Sequence, residues 1–599
     1  MTAPTVAASA PVRRRIRPAA RWVLTPPADP AIVAALVQDL RLPDAVSRLL
    51  AARGYRAGDA VRRYLRPRLD QLHAPDRLDG IRAAADRLAD AVRRGETVLV
   101  HGDYDVDGMT STALMTRVLR AVGGKVVPFI PHRLRDGYDL TDAGVRAAVD
   151  AGAQVVLTCD CGTSAHGPVG ALCAAGIDVI VSDHHLPGHG RGAPACFAVL
   201  NPNLPESDYP EADRGLCAAG VAFKLALALV KALGVNDAIV WKQLDLVALA
   251  TIADIAPLKG ENRVLARYGL KLLAESQNAG LRALVRASGL DGKPLTAGRV
   301  GFILAPRLNA VGRLGHALRG VELLTTDDEH VAHAIARELE ELNRQRQDLD
   351  RATLDEARRQ VDRLDLDSTY GLVLAGEKWH PGVIGIVASR IVEETARPAV
   401  LVALEDGVGK GSGRSIARFD LHAALTECDA DGLFQRFGGH RAAAGITIAA
   451  DRIERFAQRF DEVARARLTP DDLVPELRVD LELPIEEVTE DLEAMLRHFE
   501  PHGMGNAAPV LVTRDVELGA TPKRVGEDGV RLKLRCTDGR ELEAIGWGLA
   551  ARAEGLLPGM RVDAAFRLER DEFRGVSRLQ ARLADVVPSR GGPLALRGS

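Results

Sequence analysis

The sequence predicts a multi-lobed α/β protein: a lobe built on a parallel sheet, a long connector helix, a second α/β lobe and a small C-terminal β-barrel. Three observations carry this expectation. Five short β-rich runs alternate with helical patterns between residues 97 and 200, no Gly or Pro interrupts the amphipathic pattern between Thr326 and Thr369, and short strands with tight turns take over from about Pro470. Strands separated by helices imply a largely parallel sheet covered on both faces, and short strands punctuated by turns imply a small barrel or sandwich.

Residues 1–20 are rich in Ala, Pro and Arg without apolar periodicity. They are expected to form a disordered basic arm, whose Arg13, Arg14, Arg15 and Arg17 could touch phosphate or simply be solvated. Residues 21–94 read as a helical region. The runs Thr97–Val100, Lys125–Phe129, Val155–Thr158, Val179–Ser182 and Phe197–Leu200 are the expected strands of a lobe over 95–270. Residues 271–365 read as helical, interrupted by a loop from Ala305 to Arg313. They end in the connector helix, which starts at a Thr326/Glu329 capping-box pattern and carries Val331, Ile335, Leu339, Leu342 and Leu349 as its apolar stripe. The second α/β lobe, over 366–466, opens at Gly371-Leu372-Val373-Leu374-Ala375. It contains a glycine-rich turn at Gly409–Gly413 and ends near Gly438-Gly439-His440 and a helix. The barrel occupies 467–599, with turns such as Gly526-Glu527-Asp528-Gly529 and Asp538-Gly539.

Composition bounds the function. At 599 residues and 47% hydrophobic content the chain can bury several cores, and three to five domains are expected. No run approaches the roughly 18 to 20 apolar residues that span a bilayer, and the N-terminus lacks the apolar core of a signal peptide, so a cytoplasmic protein with no membrane role is expected. Cys159, Cys161, Cys173, Cys196, Cys217, Cys428 and Cys536 form no CxxC pair and are expected to be reduced. A net charge of -3 gives no overall attraction to a polyanion, so any nucleic-acid binding must come from local basic surfaces.

The first strand runs into His101-Gly102-Asp103-Tyr104-Asp105-Val106-Asp107-Gly108, which puts an imidazole and three carboxylates in one turn. Carboxylates this close repel unless a cation or hydrogen-bond donors compensate, and Asp with His suits Mn²⁺ or Mg²⁺ better than a thiolate-seeking metal. Asp-rich glycine loops also cap helices, so a purely structural turn is the alternative. The third strand ends at Asp160 and the fourth at Ser182-Asp183-His184-His185. Ligands collect at the carboxyl ends of parallel strands, so these side chains are expected to converge on the first cluster. Asp254 is an acid in the apolar run Ala250–Pro257 and needs a partner, which a metal would supply.

Together these motifs closely resemble the DHH phosphoesterase superfamily. The likeness extends through Pro131-His132-Arg133, the Arg307–Gly315 segment, Gly438-Gly439-His440 and the C-terminal barrel, which is the pattern of the bacterial RecJ family of single-stranded-DNA exonucleases. The resemblance implies a DHH catalytic lobe, a DHHA1-type second lobe and an OB-like barrel, with two Mn²⁺ or Mg²⁺ ions. It implies that His101 and Asp105 hold one ion, that Asp107, His184 and Asp254 hold the other, and that Asp160 bridges them. Asp107, Asp160 and His185 are then the catalytic group, His185 facing the scissile phosphate, while Asp103 and Asp183 orient the ligands. The implied reaction is metal-dependent 5′ to 3′ exonuclease hydrolysis of single-stranded DNA in repair and recombination. Single-strand DNA-binding protein and a RecQ-type helicase are the implied partners of a monomer.

For the substrate, Arg133, Arg307, Asn309 and Arg313 sit among polar or glycine-rich residues where guanidinium forks could meet phosphates, or could instead form surface ion pairs. Gly411-Ser412-Gly413-Arg414-Ser415 is a plausible terminal-phosphate pocket, and the resemblance implies that Arg133, Ser412 and Arg414 hold the 5′ end. Gly438, Gly439 and His440 resemble a nucleic-acid-binding motif and could equally be a plain turn. Arg531, Lys533 and Arg535 recur at period two, so they share one face of a strand, with Lys523, Arg524 and Trp547 close by in sequence. This suits an OB-like surface that tracks a strand by charge and stacking, or a merely solvated sheet face with Trp547 in the core. Two other functions stay open here: a DHH-family phosphodiesterase acting on short RNA or cyclic dinucleotides, and a non-catalytic replication scaffold that binds single-stranded DNA.

Overall fold

The structure, a computed structural model, describes residues 19–56, 58–133, 135–188, 192–573, 576–589 and 595–596. The expected basic arm lies outside the described residues up to position 18. The chain packs as two compact units: residues 55–348 with 494–508, and residues up to 54 with 349–493 and 509–599.

The first unit is built on five parallel strands: β1 (Thr97–Gly102), β2 (Lys125–Phe129), β3 (Val155–Cys159), β4 (Asp178–Ser182) and β5 (Ala198–Leu200). These are the five runs expected from the sequence. Their spatial order is β2-β1-β3-β4-β5, so the order reverses between β1 and β3. Strands β1 and β3 are buried along nearly their whole length because helices cover both faces, which is why they read as continuous apolar runs. The helices that matter most for function are α1 (Val106–Ala121), α2 (Ala218–Leu233), α3 (Leu244–Ala253) and α4 (Ala305–Leu314). Val100, Met109, Leu157, Phe223, Leu246 and Leu308 belong to one continuous core. The expected loop at Ala305–Arg313 is therefore helical. Pro306 does not break it because a π-helical turn, Val300–Leu304, immediately precedes α4 and the wider turn makes room for the proline ring. The connector helix is α5 (Glu329–Val361), 33 residues long.

In the second unit β6 (Leu372–Gly376), β7 (Ala399–Glu405), β8 (Val408–Arg414), β9 (Phe434–Gly439) and β10 (Ala443–Ala449) form a mixed sheet in the order β9-β10-β8-β7-β6. The glycine-rich stretch expected to be a turn is an inner strand, β8. Its glycines are steric rather than conformational: a Cβ on Gly411 would lie 2.4 Å from Ile446 Cγ1, and one on Gly409 2.6 Å from Val402 Cγ1. Gly438-Gly439 ends one strand of a hairpin, so β10 intervenes before the helix expected to follow directly.

The C-terminal barrel is built on β11 (Leu511–Leu518), β12 (Gly529–Arg535), β13 (Glu541–Gly546), β14 (Arg561–Phe573) and β15 (Val576–Pro588), with two short strands, Leu481–Glu482 beside β11 and Lys523–Val525 beside β12. Their order is β11-β14-β15-β13-β12, and Glu517↔Arg535 and Leu518↔Leu534 pairing closes β12 back onto β11. A short strand, Arg21–Leu24, lies in the region that read as helical. Four residues are too few to show a period, and the pairing partners, Glu476–Val479 and Ala595–Leu596, are far away in sequence. The indole N–H of Trp22 donates to Asp585 Oδ2 at 2.9 Å, which satisfies both buried groups.

Candidate active site

The reversal of strand order between β1 and β3 opens a crevice at the carboxyl ends of those strands, the usual ligand position in such sheets. The acidic motifs meet there. Asp105 caps α1, its Oδ1 accepting the N–H groups of Asp107 (2.9 Å) and Gly108 (3.1 Å). Asp107 is held from the other side: its two oxygens accept the N–H groups of Ala218 (2.6 Å) and Ala219 (2.8 Å) at the start of the 16-residue helix α2. The helix N-terminus thus orients a carboxylate whose remaining lone pairs face the crevice. Asp160 follows β3 in the left-handed region, at φ 70°, with its N–H donated to the Ser182 carbonyl at 3.0 Å. That conformation is unfavourable for a residue with a Cβ, and it aims the carboxylate inward.

Three groups of ligand atoms, each mutually within 4.8 Å, result: Asp107, His184 and Asp254; Asp103, Asp105 and Asp160; and Asp160, His184 and His185. His184 Nε2 stands between carboxylates, 3.1 Å from Asp160 Oδ1, 3.7 Å from Asp107 Oδ2 and 3.9 Å from Asp254 Oδ2. The fold thus gathers five of the six expected ligands. His101, fully buried at the end of β1, belongs to none of these groups; its Nδ1 lies 3.5 Å from Cys161 Sγ, and its Nε2 has no hydrogen-bond partner. Asp103, expected only to orient ligands, also has a buried carboxylate oxygen, Oδ1, without a partner and sits in the Asp105–Asp160 group.

The electrostatics follow from crowding. Burial and then the neighbouring carboxylates raise Asp160 well above the carboxylate range. Burial followed by repulsion from Asp105 pushes Asp103 to about 8; burial and the same neighbour bring Asp107 to about 7 against the pull of the Ala218 and Ala219 amides. Burial, then Asp107 and Asp105, take Asp254 to about 8. Burial lowers His101 and His184 to about 4, so both imidazoles are neutral and free to donate a lone pair. Cations entering such a pocket favour its full ionisation, and oxygen donors with imidazole nitrogens suit hard divalent ions.

His185 differs from its neighbour. Burial would lower it, but the hydrogen bond from Nδ1 to Asp183 Oδ1 (2.8 Å) and the charge of Asp183 hold it at about 9. Asp183 is correspondingly depressed despite its burial; it also accepts the N–H groups of Thr163 (3.0 Å) and His184 (2.7 Å). Sequence reasoning missed three supports of this motif. Tyr138 Oη lies 3.1 Å from His185 Nε2, Asn201 Nδ2 donates to the His185 carbonyl at 2.8 Å, and Asn203 Nδ2 to that of His184 at 2.6 Å. Tyrosine in Gly137-Tyr138-Asp139 and the Asn201-Pro202-Asn203 turn after β5 were the available signals.

The substrate-side residues fall into distinct settings. The Arg133 guanidinium stacks over the Tyr104 ring at 4.7 Å, beside the acidic loop. Arg307 is clasped by Glu340, with Nη2 3.2 Å from Oε1, while Asn309 and Arg313 lie further along α4 on its accessible side. In the second unit, Ser412 and Arg414 lie on β8 against the start of α6 (Ile384–Thr395), where Gly385 leaves room: a Cβ there would come within 2.9 Å of Ser412 Oγ and 3.0 Å of the Arg414 guanidinium. Gly438, Gly439 and His440 are exposed at the hairpin end. On the barrel, Lys533 pairs with Glu541 (2.7 Å) and Arg535 with Glu517 (2.7 Å). Arg531 instead faces Lys523 across the strands, and like charges placed opposite each other favour an anion between them. Trp547 is 53% exposed, so it is not core.

Comparison with known proteins agrees with this geometry. Residues 97–251 match the DHH family, N-terminal domain, residues 368–466 the DHHA1 domain, and residues 479–585 the RecJ OB domain. The single-stranded-DNA-specific exonuclease RecJ of Bacillus subtilis strain 168 is 34% identical over 96% of this chain and 72% of its own length. That of Escherichia coli K12 is 36% identical over 91% of this chain and 96% of its own. The crystal structure of Thermus thermophilus RecJ in complex with Mn²⁺ superposes with a TM-score of 0.81 at 34% identity, covering 97% of this chain and 80% of that one. With its parallel-sheet lobe, mixed second lobe, closed barrel and acidic crevice, the chain belongs to the RecJ family of single-stranded-DNA-specific exonucleases.

Proposed function

We propose that the acidic crevice is a two-metal hydrolytic centre that removes nucleotides from the 5′ end of single-stranded DNA. The observation that carries this reading is the convergence of Asp103, Asp105, Asp107, Asp160, His184 and Asp254 in one buried pocket at the reversal of strand order. The donor set fits Mn²⁺ or Mg²⁺: carboxylate oxygens, neutral imidazoles and, at His101 Nε2 and Asp103 Oδ1, buried polar atoms with no partner in the protein. Asp107, His184 and Asp254 would hold one ion, His101 and Asp105 with Asp103 beside them the other, and Asp160 both. When bound, such a pair supplies Lewis acidity and a nucleophile at neutral pH.

The chain's own residues do the positioning. Asp107 is fixed by the α2 amides, and His185, kept cationic by Asp183, brings positive charge to a phosphate, its Nε2 N–H resting on Tyr138 Oη until a phosphate oxygen takes that place. Arg133, Asn309 and Arg313 are assigned to the sugar-phosphate backbone, while Arg307 serves chiefly as the partner of Glu340. Ser412 and Arg414, beside the start of α6, suit a terminal phosphate. Gly438, Gly439 and His440 are assigned to the strand in the second lobe. On the barrel, Lys523, Arg531 and Trp547 form a charge-and-stacking surface, with Lys533 and Arg535 as flanking ion pairs. Single-strand DNA-binding protein, a RecQ-type helicase, a cytoplasmic location and a monomeric state belong to the same proposal.

The test is Asp160→Ala in the full chain with Mn²⁺ or Mg²⁺. Cleavage of single-stranded DNA should fall by at least about 10³-fold while binding of the strand stays within about twofold, because the substitution removes chemistry rather than basic surface. End-labelled strands report polarity. Unchanged cleavage, or a preference for dinucleotides over long strands, would count against the proposal.

A further inference from the structure

His101 is the one expected ligand that stands outside the three groups of ligand atoms, and a thiol lies against it. Strand register begins the contact. In the parallel pairing His101 of β1 lies beside Thr158 of β3, and the turn after β3 is tight. Asp160 takes the left-handed region, and Gly162 has φ 110° with a would-be Cβ only 2.9 Å from Thr158 Oγ1. That hydroxyl donates to the Cys161 carbonyl at 2.7 Å, and the Gly162 N–H donates to Asp139 Oδ1 at 2.7 Å. Fixed on both sides, Cys161 turns its side chain back onto β1. Its Sγ stands 3.5 Å from His101 Nδ1 and 3.8 Å from the His101 carbonyl oxygen.

The imidazole is held by its neighbours. The Phe129 ring centroid is 5.3 Å from its own, and the ring edge carrying Cδ2 and Nε2 packs on Gly144 of the helix Asp142–Asp150, where a Cβ would come within 2.6 Å and 2.7 Å of those atoms. With the ring fixed, only the place of its proton is open. If the thiol donates to Nδ1, the proton sits on Nε2, a fully buried N–H with no acceptor among the described residues. If the thiol donates to the His101 carbonyl, its lone pairs face Nδ1 and accept the N–H there. Both donors are then used, and Nε2 is left with a lone pair, which is what a cation needs. Packing alone explains a small side chain at 161 but not the unpartnered nitrogen on the far side of the ring.

We propose that Cys161 is a positioning residue of the metal centre: its sulfur accepts the His101 Nδ1–H and so fixes the tautomer whose Nε2 lone pair is offered to a divalent ion. The inference rests on the reading of the acidic crevice as a two-metal site. A ligating histidine is ordinarily oriented by a carboxylate, carbonyl or water on its other nitrogen, and here a thiol takes that place. One turn thereby serves both ions. Asp160 sends a carboxylate into the pocket, and the next residue sets the proton on the imidazole that completes the site shared with Asp105.

The experiment titrates the full metal-free chain with Mn²⁺ alone, by calorimetry and by electron paramagnetic resonance, for wild type, Cys161→Ala, Cys161→Val and Cys161→Ser. Ala and Val lack an acceptor and differ in size in opposite directions, so agreement between them separates the lost bond from a packing change. In both, one Mn²⁺ should bind about 10- to 100-fold more weakly and the other within about twofold of wild type. At a Mn²⁺ level that fills both wild-type sites, the spectrum of a coupled ion pair should give way to the six lines of an isolated ion. Ser, whose hydroxyl oxygen also accepts, should restore the coupled pair. The tautomer is read independently in the metal-free wild type from the ¹³Cδ2 shift of labelled histidine, assigned by its absence in His101→Gln, and should show the proton on Nδ1. Wild-type binding by Ala and Val, equal loss of both ions, no recovery with Ser, or a proton on Nε2 would each overturn the role of Cys161. If wild type binds no Mn²⁺, the underlying reading fails; if it binds two ions and the variants match it, only the role of Cys161 fails.

Discussion

Replacing Asp254 by Asn should make the metal-free protein more stable at neutral pH while destroying its function. The reason lies in the charge crowding. Burial and repulsion from Asp107 and Asp105 raise the Asp254 carboxyl to about 8 from an ordinary 3.8. For an acid whose folded value is raised, no penalty exists below the unfolded value; the penalty grows as pH rises from about 4 to about 8 and is constant above. At pH 7 the gap above 3.8 is roughly 3 pH units, which at ~1.4 kcal/mol per unit sets a ceiling near 4 kcal/mol. Asn keeps the shape without the charge, and sharing among the coupled carboxylates brings the expected gain to about 2–4 kcal/mol. For a unit of this size that corresponds to roughly 4–8 °C in Tm. Calorimetry in chelator at pH 4.5 and pH 7, repeated with Mn²⁺, tests it. Asn should raise the metal-free Tm at pH 7 but not at pH 4.5, flatten the decline of stability with pH, and lose most of the Mn²⁺-induced increase. An Asn variant less stable than the parent at pH 7 without metal, or one that gains as much from Mn²⁺, would overturn this account of the pocket.

Other outcomes follow from the same geometry. Tyr138→Phe removes the hydroxyl 3.1 Å from His185 Nε2, a bond to a cationic ring worth about 1.5–3 kcal/mol; kcat should drop roughly tenfold or more with KM little changed, as read by single-turnover cleavage. Lys523→Glu with Arg531→Glu should weaken single-strand binding and reduce the salt slope by about 1 to 2, measured by anisotropy titrations across ionic strength. Gly312→Ala would drive a Cβ to 2.3 Å from the Tyr104 carbonyl, so about 1–3 kcal/mol of stability should be lost and cleavage should fall because the acidic loop must shift. Chemical denaturation and cleavage assays on the same preparation check both effects.

Particular residues show how far local pattern reaches. The five strands of the first lobe are legible because a buried parallel strand is an unbroken apolar run, and Asp105, Asp107, Asp160 and His184 are legible because each stands where such a run stops. The strand Arg21–Leu24 is not, since its partner Glu476–Val479 lies more than 450 residues away and nothing local records a pairing at that range. Segment 305–313 reads as a loop because Pro and Gly count as breakers, whereas Pro306 is accommodated by the π-helical turn before it and Gly312 is small to admit the Tyr104 carbonyl. The glycines of β8 mislead for the same reason: composition records that the side chain is missing, not whether conformation or crowding requires it.

The order of lobes, the sheet of the first lobe and the chemistry of the acidic motifs can all be read along the chain, because hydrophobic period and strand-end chemistry are local properties. Which side chains share the pocket is set by folding. It brings Asp254 from a helix end to His184 and Asp107, sets Asp103 among the carboxylates, seats Asp107 on the first amides of α2 and puts Tyr138 on His185. It also divides the arginines by use, committing Arg307 to Glu340 and Arg535 to Glu517 while Arg133 lies over Tyr104. Whether a charged group is paired inside the protein or left facing its substrate depends on neighbours distant in sequence, and only the folded chain specifies those.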